Sequence, residues 1–482
     1  MFDVAIIGGG ICGCSLLYEL SRYQVAAVLL EKENDVGVAT TKANSAIVHA
    51  GYDPEPGTKM ARYNVEGNRI IEELCRDLDV PYHKLGSLVL GFSSEDRALL
   101  EKLYQRGVKN GVPGLRIIEQ DELRQIEPNT SEQALYALYA PSAGVVSPWE
   151  LATAQAEAAV NGGAQVMRDT EVSGIEKVGD GFQIETNHGT IKARFVVNAA
   201  GVHSDQVAAM VGDHSFSILP NRGEYFLLDK TQGKLVQHVV FQCPTKDGKG
   251  VLVSPTVHGN LIVGPNAEDT QADDVATTAA GLQRVRQSAL KSVPTIQFRD
   301  SIRNFAGIRA IATADDFIVG PSEHCSGFFN IAGIKSPGLT SAPAIARDMV
   351  HMLGEAGLTL KANPAFVSQR SVVRFRHLDA EGRRRAIQKN PLYGTIVCRC
   401  ETVTEGEIVD ALHRPLAPRS IDGIKRRCGA GMGRCQGGFC GPRVQAIIAR
   451  ELGIPQEEVP LDKAGMTIVM GHTKEQAGGH TK

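Results

Sequence analysis

Five of the ten cysteines in this 482-residue sequence, Cys398, Cys400, Cys428, Cys435 and Cys440, fall within 43 positions near its C-terminal end. The other five (Cys12, Cys14, Cys75, Cys243, Cys325) are scattered over the first 397 residues. Cys398-Arg-Cys400 and Cys435-Gln-Gly-Gly-Phe-Cys440 form two close pairs, 34 residues apart. In a reducing cytoplasm such a cluster means metal more often than disulfide. Four thiolates suit a [2Fe–2S] cluster or structural zinc, although zinc sites usually space their cysteines as C-x₂₋₄-C rather than C-x-C.

A second chemistry-bearing pattern lies at the other end. Gly8-Gly9-Gly10-Ile11-Cys12-Gly13 matches G-x-G-x-x-G. Gly8 permits the tight turn, Gly10 the approach of a pyrophosphate, and Gly13 close helix–strand packing, with the anion on the helix N-terminus. Glu31, 18 residues after Gly13, stands at the end of the next strand, where a carboxylate accepts hydrogen bonds from a ribose. Phe195–Gly201 reads as a buried strand ending in the small residues Ala200 and Gly201, which suits backbone packed against an adenosine. Gly333-Ile-Lys-Ser-Pro-Gly338 is another glycine turn before a helix, about 320 residues after the first. One mononucleotide does not need two such turns, whereas FAD spanning a domain uses both.

The elements that must position these groups follow from periodicity. Val4–Ile7, a helix over Ser15–Ser21 and a strand over Val25–Leu30 form a βαβ unit. Residues 57–78, 94–111 and 148–161 read as helices, the last with Pro148 in its first turn. Short β-rich runs over 217–265 predict an antiparallel sheet inserted between nucleotide-binding segments. Phe328–Ala332 and a helix over 341–353 close that unit. The expected fold is α/β, a Rossmann-like FAD-binding domain with an inserted antiparallel-sheet substrate domain and a small C-terminal α-rich [2Fe–2S] module. The expected boundaries are 1–365 for the discontinuous FAD and substrate domains (sheet mainly about 217–310), 366–392 for a basic linker, 393–455 for the cluster module and 456–482 for a tail. Gly471–Lys482, rich in Gly, His and Lys, is expected to be disordered.

Over roughly residues 1–360 the chain resembles the glycine/D-amino-acid oxidase superfamily of FAD enzymes. Thr41-Lys-Ala-Asn44-Ser45-Ala-Ile-Val-His49-Ala-Gly51, Arg222-Gly-Glu-Tyr225 and Gly307-Ile-Arg309 carry the likeness. The first two segments resemble the L-2-hydroxyglutarate dehydrogenase branch, and the superfamily includes the flavin glycerol-3-phosphate dehydrogenases. The resemblance implies that the Asn44–Gly51 segment passes close to the flavin ring, with Thr41, Asn44 and Ser45 binding the cofactor; the second glycine turn adds Gly333, Gly338 and Leu339 as cofactor-binding candidates, and Lys335 as one that places positive charge near flavin N1. It implies His49 as acceptor of the substrate hydroxyl proton, since imidazole titrates near operating pH. It implies Arg309 as the anion anchor, with Tyr225 and Arg222 lining the same pocket.

Val397-Cys-Arg-Cys-Glu401, Glu405-Gly-Glu-Ile408 and Gly431–Pro442 resemble the bacterioferritin-associated-ferredoxin-like [2Fe–2S] domain. That likeness implies Cys398, Cys400, Cys435 and Cys440 as ligands and Cys428 as a bystander. Flavin and cluster in one chain imply a dehydrogenase acting on a small anionic hydroxy compound, glycerol 3-phosphate first and L-2-hydroxyglutarate second. An amine or imino-acid dehydrogenase and a non-catalytic electron-transfer subunit are the alternatives. The net charge of −3, from 51 basic against 54 acidic residues, argues against nucleic acid as a partner. No apolar run reaches the ~18 residues of a membrane span, and no signal peptide is read at Met1-Phe-Asp3, so a cytoplasmic protein is expected. The expected partner is an electron-accepting protein subunit, docked near the basic stretch 370–389 with Arg383-Arg384-Arg385, through which any membrane association is made.

Overall fold

A computed structural model describes residues 1–244 and 250–471. The expected disorder of the tail falls mainly on 472–482, outside the described residues. The chain divides into two compact units, Met1–Lys32 with Val36–Ser371, and Glu33–Asp35 with Val372–Lys482.

The first unit is built on two sheets. Phe2–Ile7 pairs in parallel with Ala27–Leu30 on one side and Gly189–Asn198 on the other. Gln165–Met167 and Phe328–Ala332 extend the parallel set at its two flanks. Val4–Ile6 and Val28–Leu30 are almost fully buried, as unbroken apolar runs must be when both faces of a parallel sheet are covered. The helix Ile11–Leu20 follows the first strand immediately, so its N-terminus lies at the carboxyl end of the central strand.

The second sheet differs from expectation in two ways. Ile218–Leu228 and Ser301–Ala312 form its longest antiparallel pair, with Leu261–Gly264, Leu252–Pro255 and Val239–Gln242 continuing from the former. The sheet does not stop near residues 217–310: Ser87–Gly91, Tyr136–Ala140 and Arg116–Glu119 extend it. Nor is it wholly antiparallel, because Val239–Gln242 runs parallel to Ser87–Gly91. Leu88, Leu90 and Val240 at this junction are fully buried, in keeping with a parallel join covered on both faces. A small third sheet pairs Ile47–Val48 with Gly144–Val146 and fixes the residue that follows, His49.

In the second unit three of the four α-helices among the described residues, Glu405–Leu412, Ile421–Cys428 and Gly441–Leu452, surround an apolar core that includes Ile408, Ile424, Val444 and Ile448. Thr404 and Glu407 form a reciprocal capping box at the start of Glu405–Leu412. The stretch expected as a linker carries the helix Ala380–Lys389, capped by Asp379. Arg376 and Arg383 are engaged within the fold, while Arg384 and Arg385 are exposed. Arg376 donates to the buried Glu401 at 2.7 Å, Arg383 lies 5.2 Å from the Phe375 ring, and Arg385 pairs with Glu381.

Asp35 is the electrostatic keystone of this unit. Arg427 grips its two oxygens at 2.6 and 2.7 Å, and Arg426 adds a bond at 3.0 Å, all three residues being buried. Burial pushes the Asp35 carboxyl up, but the two guanidiniums, Arg427 foremost, outweigh it and hold the group at about 2. Its contribution to stability is therefore complete above the ordinary carboxylate pKa and is lost as the pH falls from about 4 through 2. Asp35→Asn leaves a buried guanidinium pair undercompensated and is expected to cost about 3 kcal/mol. Denaturant titrations should show that difference at pH 5 to 7, shrinking toward pH 2; a gap that persists unchanged at pH 2 would refute the assignment.

Candidate functional site

The glycine turn is shaped by steric demand at two positions. Gly8 has φ of +107°, and a Cβ on it would lie 2.5 Å from the Ala199 carbonyl oxygen. A Cβ on Gly13 would lie 2.0 Å from the Gly8 oxygen. Gly10 differs, since its nearest neighbour would be Thr41 Oγ1 at 3.5 Å. The space beside Gly10 is therefore open, at the N-terminus of a helix that has no side-chain cap. Unpaired N–H groups and the helix dipole make that space a cradle for a pyrophosphate.

Glu31 and Thr41 brace this cradle. Glu31 is buried and accepts the Gly9 N–H at 2.6 Å, while Thr41 Oγ1 accepts the Ile11 N–H at 2.9 Å. Glu31 thus locks the turn as well as standing at the ribose position. Gly201, with φ of +58° and nothing within 4 Å of its Cβ position, continues the opening beyond Asn198, and Ala200 donates its N–H to Asn198. Gly333, with φ of +66°, and Gly338 shape the second turn: a Cβ on either would fall within 2.7 Å of Ala312 or Ile334. Lys335 sits in that turn, half-buried, with its backbone N–H on Gly333 and its carbonyl accepting from Gly338, and Leu339 follows half-buried in the first turn of the helix Gly338–Glu355. These residues fit a dinucleotide with room for an extended second half.

The segment 40–49 threads between these turns and the second sheet. Asn44 folds it, its amide donating to the Thr40 and Thr41 carbonyls and accepting the Ala46 N–H. Gly307 lets it approach, since a Cβ there would meet the Ala43 oxygen at 1.8 Å. Ser45 Oγ lies 3.2 Å from the Tyr225 hydroxyl, and the Tyr225 ring stacks on Phe305 at 4.8 Å. His49 is anchored by its backbone to Thr340, Asn64 and Asn68. Its Nε2 lies 3.1 Å from Ser336 Oγ, and its ring packs 5.9 Å from that of Phe241. Phe241 and Phe305 border the apolar cluster that contains Tyr225 and Ile47.

The paired strands sort the arginines. Asn221 faces Arg309 and Tyr225 faces Phe305 in register, so these four share one face of the sheet. Arg222 points to the other face. There it binds Asp274 at 2.7 Å and Glu268 at 3.2 Å, in a network with Asn266 and the fully buried Glu224. The structure therefore brings Tyr225 and Arg309 together but removes Arg222 from the expected pocket, because neighbouring residues of a strand alternate sides. Arg309 is half-buried and donates only to neutral oxygens: Asn221 Oδ1 at 2.6 Å, the Asn266 carbonyl at 2.9 Å and the Arg222 carbonyl at 3.4 Å. Among the described residues no carboxylate pairs with its charge. Asn221, Asn266, Ser336 and Phe241 escape a reading of the sequence; strand parity points only to Asn221.

The cysteines gather as two pairs. Cys398 and Cys440 are buried and hydrogen-bonded to each other, while Cys400, exposed, and Cys435 lie 3.9 Å apart. The Cys440 contact holds Cys398 at about 6 against the effect of burial, with help from the Gly431 and Glu401 N–H groups, and the same contact drives Cys440 upward. The Phe439 N–H, with that of Gly437, lowers Cys435, and burial raises Cys400. Two thiol pairs, with backbone N–H groups already aimed at sulfur, suit a two-iron cluster. Cys428 ends its helix with its thiol on the Ile424 carbonyl, pushed up to about 12 by burial, which suits a bystander.

Comparison with known proteins agrees with both sites. The family model for FAD dependent oxidoreductases (DAO) matches residues 3–352, and the model for the BFD-like [2Fe-2S] binding domain matches residues 396–450. The chain is 48% identical to a glycerol 3-phosphate dehydrogenase of Caloramator mitchellensis, over 99% of this chain and all of the relative. It is 29% identical to human mitochondrial L-2-hydroxyglutarate dehydrogenase, over 72% of this chain and 87% of the relative. Among solved structures, the dithionite-reduced L-α-glycerophosphate oxidase of Mycoplasma pneumoniae with FAD bound superposes with a TM-score of 0.74 at 31% identity, covering 77% of this chain and 99% of that one. Two thiol pairs beyond a flavin fold, and a matching model for each, lead to one assignment: the chain belongs to the FAD-dependent oxidoreductases of the DAO family and carries a BFD-like [2Fe–2S] domain C-terminal to the flavin-binding region.

Proposed function

We propose that the chain is a dehydrogenase that oxidises glycerol 3-phosphate at its secondary alcohol, and that electrons leave through the [2Fe–2S] domain to an electron-accepting protein. The half-buried Arg309, bonded among the described residues to neutral oxygens alone, carries this reading. A desolvated guanidinium without a counter-ion is costly until an anion binds, and its planar fork matches phosphate. The relative named a glycerol 3-phosphate dehydrogenase, similar over nearly the whole chain, supports phosphate over carboxylate. FAD, when bound, supplies the two-electron acceptor. The chain's own residues do the rest. Arg309 anchors the anionic end, Tyr225 and Phe305 wall the pocket, and His49, braced by Ser336, takes the hydroxyl proton. L-2-hydroxyglutarate is the second reading, since Arg309 also suits a carboxylate. No helix among the described residues is long and apolar enough to cross a membrane. We place the reaction in the cytoplasm, with any membrane association made through the partner.

Anaerobic stopped-flow bleaching of the flavin tests this with glycerol 3-phosphate, L-2-hydroxyglutarate, proline and uncharged glycerol. Glycerol 3-phosphate should bleach fastest. Arg309→Met should weaken half-saturation about 10- to 100-fold, the equivalent of losing charge-assisted bonds worth roughly 1.5–3 kcal/mol. His49→Asn should instead slow bleaching about 100-fold or more and flatten its pH profile, with half-saturation nearly unchanged. Equal bleaching by glycerol, with Arg309→Met unimpaired, defeats the anion anchor. Fastest bleaching by proline makes the chain an imino-acid dehydrogenase, and no bleaching by any of the four leaves a relay subunit.

A further inference from the structure

Phe439 stands between the two cysteines of the second pair and is 87% exposed. An aromatic ring left in water is an unusual choice for a loop rich in glycine, and the loop does not present it by chance. Gln436, with φ of +47°, turns its amide back onto the Met432 and Gly433 carbonyls at 3.1 Å and fastens the loop from inside. The Phe439 N–H supports the sulfur of Cys435, which lies 3.9 Å from the exposed Cys400, so the backbone that carries the ring is tied to that thiol pair. Cys398 and Cys440, by contrast, are buried. The cluster site therefore meets solvent on the side that carries Phe439.

Charge marks the same loops. Arg399, Arg434 and Arg443 are all exposed and lie on or next to the ligand segments. The one acid within 398–401 and 431–443 is Glu401, which is buried and paired with Arg376. A rigid aromatic within an arginine-bearing rim has the composition of an interface hot spot. The stretch 370–389, in comparison, uses Arg376, Arg383 and Arg385 in contacts of its own.

We infer that Phe439, with Arg399 and Arg443, forms the docking face for the electron-accepting protein, and that the partner offers an apolar centre rimmed by Asp and Glu. The inference rests on the cluster being the electron exit. Each encounter passes one electron to the acceptor, so two acceptor molecules are reduced for each hydroxy compound oxidised to the ketone, with two protons released.

Plastocyanin, an acidic one-electron copper protein with an apolar face, is a suitable probe, and cytochrome c, ringed by lysines, is the opposite-charge control. Binding of redox-silent, cadmium-substituted plastocyanin to the holoenzyme is followed by NMR, and substrate-driven reduction of copper plastocyanin by absorbance. Phe439→Asp and the pair Arg399→Glu/Arg443→Glu should each weaken both readouts about tenfold or more. The arginine effect should fade at high salt, and anaerobic flavin bleaching should stay at the wild-type rate. Arg383→Glu/Arg384→Glu/Arg385→Glu should leave plastocyanin binding unchanged. If Phe439→Asp loses iron, Phe439→Ala and the arginine pair decide the matter. The inference is overturned if plastocyanin does not bind the wild type, if cytochrome c is preferred, if the 383–385 variant alone loses binding, or if sedimentation shows that Phe439 is covered by a second copy of the chain. Failure of bleaching with intact plastocyanin binding would instead count against the substrate reading alone.

Discussion

Replacing Gly10 with valine should yield a folded, colourless protein. The turn itself has room for the added atoms, because the nearest neighbour of a Cβ at Gly10 is the Thr41 hydroxyl at 3.5 Å. What the side chain fills is the open space at the uncapped N-terminus of Ile11–Leu20, where a pyrophosphate must come within hydrogen-bond reach of backbone N–H groups. Gly13→Val should behave differently. Its Cβ would lie 2.0 Å from the Gly8 oxygen, so the turn itself cannot close, and loss of FAD should come with loss of folding. Flavin release on denaturation, far-UV circular dichroism and thermal unfolding separate the two. Gly10→Val should match wild-type apoprotein in its melting temperature, both falling below the holoprotein because the native state loses its ligand; ligand at a hundredfold excess over Kd is worth about 2.7 kcal/mol. A yellow Gly10→Val protein with full flavin content would show that the pyrophosphate binds elsewhere.

Which parts of this site are legible in the sequence depends on whether the determinant is local. The glycine turn is, because strand, turn, helix, strand and Glu31 occur in one continuous stretch whose spacing follows from backbone geometry. The four cysteines are too, but not their pairing: neighbours in sequence separate, and Cys398 meets Cys440 while Cys400 meets Cys435. Arg222 shows where local reading was incomplete. It lies three residues before Tyr225 in one strand, so parity alone places the two on opposite faces, and a segment read as a unit conceals this. The strands at 87–91, 116–119 and 136–140 were out of reach for another reason. Each is a short run of four or five residues, and nothing in such a run says which distant strand it joins. Ser336 reaches His49 across 287 residues, and Glu401 is seen as the partner of Arg376 only in the fold. Long-range pairing, rather than propensity, is what sequence patterns leave out.

Serine in place of any one of Cys398, Cys400, Cys435 or Cys440 should abolish turnover with a one-electron protein acceptor while leaving reduction of the flavin by substrate close to the wild-type rate. The argument starts from the thiol pairs. Each iron of a two-iron cluster takes two thiolates, and the buried Cys398–Cys440 contact and the exposed Cys400–Cys435 contact supply two such pairs. Removing one sulfur leaves an iron with an incomplete ligand set, and a serine hydroxyl, harder and far less acidic than a thiol, is a poor substitute. The core of the second unit is built from Val397, Ile408, Ile424, Val444 and Ile448 rather than from the cysteines alone, so the fold has support apart from the ligands. Cys428→Ser should keep both iron and acid-labile sulfide, since that thiol is engaged with the Ile424 carbonyl at the end of its helix. The flavin cradle and the Arg309–Tyr225 face are built wholly from residues of the first unit, which is why the first half of the reaction should survive. Iron and sulfide assays, stopped-flow bleaching and acceptor-linked turnover on the same five variants give the test. One zinc per chain in place of iron would end the cluster assignment, and loss of bleaching together with the cluster would mean that the two redox sites do not act in sequence.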